Sequence, residues 1–381
     1  MSSVIKLSQQ FISNLFLHPE KAKDVTPLQW QSLILVLRKS QLLARFGLLF
    51  DTAEVLSELP QQAQRHFKNA ITLADKQRKQ VQYESLQLVN FLNQKSIQLV
   101  FLKGAGYTLA DNAPALGRVY SDIDILVKKH ELLSVEQNLA FTGWLAQELN
   151  DYDERYYREW AHEIPPLAHG VRGTVLDIHH NIVPLVSGRS INVDLLLGYT
   201  QVLDSGITVL NSAAMTVHSF IHLFFNEEFS SGYRDMTDLF LLMDNQNEAY
   251  WQDVVTLSTN IGFTKELALA LRYAELYFGL NAPAFVKNAS VITNVRISSL
   301  EDFIFKRVLA PKHPLVEVRW KGLAELLGLI RGHWLKMPIH ILIPHLFVKG
   351  YRSLAESLFG EHIFTKKSPE MADNLGENLK K

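Results

Sequence analysis

The run Ser121-Asp-Ile-Asp-Ile-Leu-Val127 constrains this chain more than any other. Its strict alternation at the start reads as a strand, so Asp122 and Asp124 point to the same face, about 6.5–7 Å apart along the backbone. Ile123, Ile125, Leu126 and Val127 place that strand in a core, so the acids sit on a rigid element. Two carboxylates on one face repel, and burying them unpaired is costly. A divalent cation removes the difficulty, and hard oxygen ligands suit Mg²⁺ or Mn²⁺. Taken alone, an Asp-x-Asp more often belongs to an edge strand facing water, so the neighbourhood decides.

Upstream, Ile97 to Leu102 is a short apolar run that stops at Lys103-Gly104, with Gly106 in the next turn. Such a turn lets backbone N–H groups approach an anion, and a helix start adds its dipole. Arg118 and Ser121 stand just before the acids, one able to neutralise phosphate and the other to donate to it. Downstream, Thr174 to His180 reads as a third strand, entered through a hairpin turn at Gly170 to Gly173. Asp177 lies inside its apolar pattern. With Asp122 and Asp124 it makes a three-carboxylate set able to hold two metals about 3.5–4 Å apart. Only His179 of the pair His179-His180 shares the Asp177 face, since neighbours on a strand point opposite ways.

The rest of the chain reads as helix. Apolar positions at helical spacing run through 28–50, 61–95, 128–140, 212–225, 234–244, 250–258, 264–278, 299–309 and 320–334. With 19 Gly and 13 Pro among 381 residues, turn-rich all-β folds are disfavoured. The expected class is therefore α+β: a small mixed sheet with extensive N- and C-terminal helices. The expected division is a helical segment at 1–96, a core at 97–200, a helical region at 201–364 and a polar tail at 365–381. The absence of cysteine excludes disulfides, thiolate zinc sites and thiol nucleophiles. A net charge of -1 gives no global reason to expect nucleic-acid binding. One segment departs from neutrality: between Phe303 and Arg352 there are nine basic residues and two acids, with Trp320 and Trp334 adding apolar bulk. An anionic surface is one partner such a segment would suit. No apolar h-region opens the chain and no stretch is long enough to span a membrane, so a cytoplasmic location is expected.

F-L-K-G at 101–104, R-x-x-S-D-I-D-I-L-V at 118–127 and V-x-D-I-H at 175–179 resemble the uncharacterised nucleotidyltransferase family of the polymerase-beta-like superfamily. The resemblance implies Asp122, Asp124 and Asp177 as metal-binding, catalytic acids for Mg²⁺ or Mn²⁺. It implies Lys103, Gly104 and Ser121 near the triphosphate of an NTP such as ATP, and the residue reading adds Arg118 and His179 as substrate contacts. The implied reaction moves an NMP to a hydroxyl of an unidentified acceptor: a small molecule, sugar, protein or RNA. Two other classes compete. A glycosyltransferase also uses Asp-x-Asp to hold the metal of a sugar nucleotide, but gives Asp177 and Lys103 no shared role. A non-catalytic nucleotide-binding module would have no need of three acids.

The metal assignment predicts that Asp122→Asn or Asp124→Asn abolishes Mg²⁺-dependent NTP binding while the protein stays folded, because one repelling charge is removed. Calorimetric titration with Mg²⁺–NTP checks this; wild-type affinity in the variant would contradict it.

Overall fold

The computed structural model describes residues 4–146 and 149–359. Seven strands form one mixed sheet: β1 (Val100–Phe101), β2 (Ile123–Leu126), β3 (Trp144–Ala146), β4 (Leu167–His169), β5 (Val175–His179), β6 (Thr200–Val202) and β7 (Thr208–Leu210), in the order β3-β4-β5-β2-β1-β7-β6. The pairs β2–β5 and β1–β7 are parallel; β1–β2, β3–β4, β4–β5 and β6–β7 are antiparallel. Strands β2 and β5 thus lie at the centre, and the apolar residues that flank their acids are fully buried: Ile123, Ile125, Leu176 and Ile178. Helices precede and follow the sheet, so the α+β class with helical N- and C-terminal regions is the one observed.

Two features of the helical part position the site. The first is the helix Gln61–Asn93, which buries Phe67, Ala74, Val81 and Leu88, a seven-residue recurrence that keeps one seam facing the core. Its other contacts fix both site strands at their starts. Gln77 exchanges two hydrogen bonds with the Tyr120 backbone (3.1 and 3.3 Å) just before β2. Gln80 donates to Thr174 (3.0 Å), and Glu84 accepts from Arg172 (2.7 Å) and Thr174 (3.2 Å), just before β5.

The second is a buried ion cluster between the N-terminal helices, the loop before β2 and the helix Gly232–Met243. Arg45, 1% exposed, pairs with Asp238 (2.7 Å) and donates to the carbonyls of Pro114 (2.6 Å) and Leu116 (3.1 Å). Asp238 also takes Arg118. Gly117 closes the loop at φ 61°, and a Cβ there would lie 2.4 Å from the Arg45 backbone nitrogen, so only glycine fits.

The structure redraws several spans. The pattern at 28–50 is two helices, Pro27–Lys39 and Leu43–Thr52, because Gln41 between them takes φ 57° and breaks the hydrogen-bond ladder. The run 97–102 contributes only two strand residues. The sheet continues past residue 200, since the β6–β7 hairpin supplies the parallel partner of β1. The polar tail at 365–381 lies outside the described residues. Six of the nine basic residues between 303 and 352 meet an acid within the chain: Lys306 with Asp302 (2.9 Å), Lys312 with Glu325 (3.6 Å), Arg331 with Glu301 (3.8 Å), Lys336 with Glu227, and Lys349 (2.7 Å) and Arg352 (3.9 Å) with Asp153. Among the described residues, no helix is long and apolar enough to cross a membrane.

Removing Asp238 would leave two buried guanidinium groups uncompensated. Asp238→Ala is therefore expected to cost about 3–5 kcal/mol in urea unfolding. Removing the exposed Lys79 partner of Asp75 should cost no more than about 0.5 kcal/mol. A loss below about 1 kcal/mol for Asp238→Ala would show that the cluster does not hold the loop.

Candidate active site

Parallel pairing of β2 with β5 sets Asp124 directly beside Asp177 in register. Neighbouring strands are about 4.8 Å apart, and in-register side chains share a face, so the two carboxylates confront each other. Asp122 precedes β2 by one residue and accepts from the Ser121 hydroxyl (3.0 Å). The set of three acids expected from sequence is thus assembled at the centre of the sheet.

Lys103 answers this charge from the end of β1. It opens the helix Lys103–Leu109 at φ 42°, a left-handed conformation costing a non-glycine residue roughly 1–2 kcal/mol. Its ammonium donates to Asp124 Oδ1 at 2.8 Å, while the Leu102 N–H donates to the Asp124 carbonyl (3.0 Å). His179 Nε2 lies 2.9 Å from the same carboxylate oxygen. Burial alone would raise the Asp124 pKa, but Lys103 and then His179 hold it well below the usual carboxylate range. Lys103 is correspondingly raised, since Asp124, Glu163 and Asp122 together outweigh its burial.

Compensation is weaker at the other two: Lys103, Ser121 and Arg118 lower Asp122 and His179 lowers Asp177, but burial and the neighbouring acids outweigh them. Burial and then Asp124 raise Asp122. Burial, Asp124, Glu163 and Asp122 push Asp177 up to about 7, and its Oδ1 is buried with no hydrogen-bond partner. A cluster of carboxylates that raise one another, with an orphaned oxygen among them, is what a divalent cation would relieve. The residues therefore fit the Mg²⁺ or Mn²⁺ expected from sequence.

The other anticipated residues are distributed less simply. A cleft beside the acids is lined by Lys103, Gly104, Arg118, Ser121, Asp122 and Asp124, together with Tyr107, Ser219, His222, Arg234, Asp235 and Asp238. Asp177 and His179 lie outside that lining, on the β5 side. Arg118 reaches the cleft wall with its charge already engaged by Asp238, which leaves its Nε buried and unpaired. A Cβ on Gly104 would come 2.7 Å from that Nε, so the glycine admits the guanidinium. His179 is 2% exposed and sits behind Asp124. His180 faces away, and burial lowers it to about 4. His218, lowered to about 3 by burial and then Lys103, and His222 are neutral rings on the helix Ser212–Phe225.

Glu163 and His162 were not among the site residues expected from the sequence. Glu163 forms an isolated bridge with His179, and its carboxylate is 3.4 Å from His179 Nδ1. The signal was available only in retrospect: an acid and a histidine next to Pro165-Pro166, a segment whose path no periodicity fixes.

A mixed sheet that brings an Asp-x-Asp strand beside a third acid, with a lysine at the preceding strand end, is the arrangement expected of a nucleotidyltransferase. The chain belongs to the uncharacterised nucleotidyltransferase family, whose model matches residues 26–279. The match takes in the long helix, the whole sheet and the helices through Phe278. The sequence matches none of the curated proteins with which it was compared.

The raised Asp177 makes a signed prediction about pH. Its folded pKa, about 7, exceeds the ordinary value of 3.8. The stability it contributes is thus complete below about pH 3.8 and lost as pH rises through about 7. In metal-free protein, Asp177→Asn should raise the melting temperature more at pH 8 than at pH 5. An equal change at both pH values would contradict the assignment. Asp124→Asn should behave oppositely and destabilise, because it strips Lys103 of its counter-ion; the sequence alone suggested relief of repulsion at both acids of the pair.

Proposed function

We propose that the protein transfers a nucleoside monophosphate from an NTP to a hydroxyl acceptor, the acceptor oxygen bonding to the α-phosphorus as pyrophosphate leaves, with two divalent metals to be held by Asp122, Asp124 and Asp177. The observation that carries this reading is the in-register pairing of Asp124 with Asp177 beside Lys103. Bound Mg²⁺ or Mn²⁺ would supply charge neutralisation on the triphosphate and acidity at the acceptor hydroxyl.

The chain's own residues divide the remaining work. Asp122 and Asp124 would hold the metal that accompanies the nucleotide. Lys103, partly exposed at the cleft, exchanges Asp124 for a phosphate oxygen as the triphosphate enters, and Ser121 donates beside it. Gly104 leaves room for Arg118, which adds positive charge behind the phosphates from its fixed place on Asp238. His179 orients the Asp124 carboxylate from below. Asp177, in register beside Asp124, takes the acceptor's proton. Catalysis of this kind is mostly positioning and electrostatics, so few other reactive groups are needed. ATP is the nucleotide to test first. The acceptor is a small molecule, a sugar, a protein side chain or RNA, and incubation of each α-labelled NTP with Mg²⁺ or Mn²⁺ and cell extract would trap it.

Asp177 provides the discriminating variant. Asp177→Asn keeps the shape and removes the proton acceptor. It should cut label transfer by about 10²–10⁴-fold while Mg²⁺–NTP affinity changes little. A glycosyltransferase offers no such asymmetry, and a binding module has no turnover to lose. Both quantities are measured on one preparation. Undiminished transfer, or equal loss of transfer and binding, would remove Asp177 from this role.

A further inference from the structure

Behind Asp124 lies a second group of ligand-type side chains with different chemistry. His162, Glu163 and Ile164 run along the end of β5. The Ile164 N–H donates to the Ile178 carbonyl (3.1 Å), and the His162 carbonyl accepts from His180 (2.8 Å) and Asn181 (3.2 Å). This backbone pairing delivers one ring nitrogen of His162, a carboxylate oxygen of Glu163 and one ring nitrogen of His179 within 4.8 Å of one another.

The hydrogen bonds of His179 leave one of these atoms without a partner. Its Nε2 faces the ionised Asp124 at 2.9 Å, so Nε2 carries the proton and donates. In the neutral ring Nδ1 is then an acceptor. It is buried, has no hydrogen-bond partner among the described residues, and faces a Glu163 oxygen, a second acceptor, at 3.4 Å. His162 Nδ1 is likewise buried and unpartnered, and the two rings are 5.3 Å apart.

We propose that His162, Glu163 and His179 form a binding site for a Zn²⁺-class transition-metal ion, separate from the carboxylate site for Mg²⁺. Two imidazoles and a carboxylate are the ligand set of zinc sites that keep a fourth position open. Imidazole selects first-row transition ions over Mg²⁺, which favours the all-oxygen acids. Zinc–ligand bonds of about 2.0–2.1 Å place tetrahedral ligands about 3.4 Å apart, the separation of Glu163 from His179 Nδ1. The wider separations close by rotation of the partly exposed His162 or Glu163 side chains. Asp124 would orient the His179 ring from the far side, as carboxylates do for metal-bound histidines. The ion would staple the segment before β4 to the end of β5. The site stands whether or not the nucleotidyl-transfer reading holds.

The rival account is a buried imidazolium, with His179 protonated on both nitrogens between Asp124 and Glu163. The test is titration of chelator-treated full-length protein with Co²⁺ followed by visible absorption, then competition with Zn²⁺ and with Mg²⁺. One Co²⁺ should give the intense bands of a four-coordinate nitrogen-ligated ion, displaced by Zn²⁺ and indifferent to excess Mg²⁺. Glu163→Gln and His162→Asn should weaken Co²⁺ binding by at least about tenfold, with Glu163→Gln keeping the wild-type melting temperature; Asp122→Asn should retain the bands. Absence of the bands in the wild type overturns the proposal. So do bands that survive Glu163→Gln unchanged, or nitrogen-15 spectra showing His179 doubly protonated in protein that takes up no Co²⁺.

Discussion

Asp124 and Asp177 stand side by side on adjacent parallel strands, and that confrontation organises the centre of the molecule. Two like charges about 4 Å apart repel by about 4 kcal/mol at the effective dielectric near a protein surface, and Asp122 and Glu163 add to the field. The strands' other faces are fully buried, so neither acid can turn away from the other. Instead Lys103 and His179 converge on Asp124 alone, which stays ionised. Asp177 and Asp122 are left raised. The site is therefore asymmetric before any ligand arrives: one carboxylate is locked into an ion pair, and two retain an affinity for protons that a metal ion can exploit.

The scaffold explains how such a site is tolerated. Opposite charges elsewhere are paired with care: Arg45 and Arg118 share Asp238, and Arg189 meets Glu266 at 2.6 Å. The long helix Gln61–Asn93 touches the backbone or side chains just ahead of both β2 and β5, fixing their relative register through Gln77, Gln80 and Glu84. A one-residue slip between β2 and β5 would send Asp177 to the opposite face from Asp124. The N-terminal helices are thus part of the site's construction, in keeping with a family match that begins at residue 26.

How much of this was legible in the sequence depends on the range of the interaction. The alternation in 121–127 and 174–180 revealed both acid strands and the faces of Asp122, Asp124 and Asp177, because a strand's period is local. The helix Ser212–Phe225 was legible to the residue, since its apolar face repeats at local helical spacing. Strands of three residues, such as β3, β6 and β7, are too short to show a period, so the sheet's full width was hidden. The partner of Arg118 was also hidden: Asp238 lies 120 residues away, and nothing local distinguishes a phosphate-binding arginine from one held by a distant acid. Glu163 and His162 reach the site through backbone pairing with β5 in a segment without regular pattern, which only three dimensions disclose.

The central claim is that the three acids and Lys103 constitute one nucleotide-binding, metal-holding centre. The most direct measurement is a crystal structure of the protein with Mn²⁺ and a non-hydrolysable NTP analogue. The account predicts two metal peaks about 3.5–4 Å apart among Asp122, Asp124 and Asp177, with the Lys103 ammonium moved from Asp124 onto a phosphate oxygen. A nucleotide bound elsewhere, or metals that ignore Asp177 while Lys103 keeps its grip on Asp124, would contradict it.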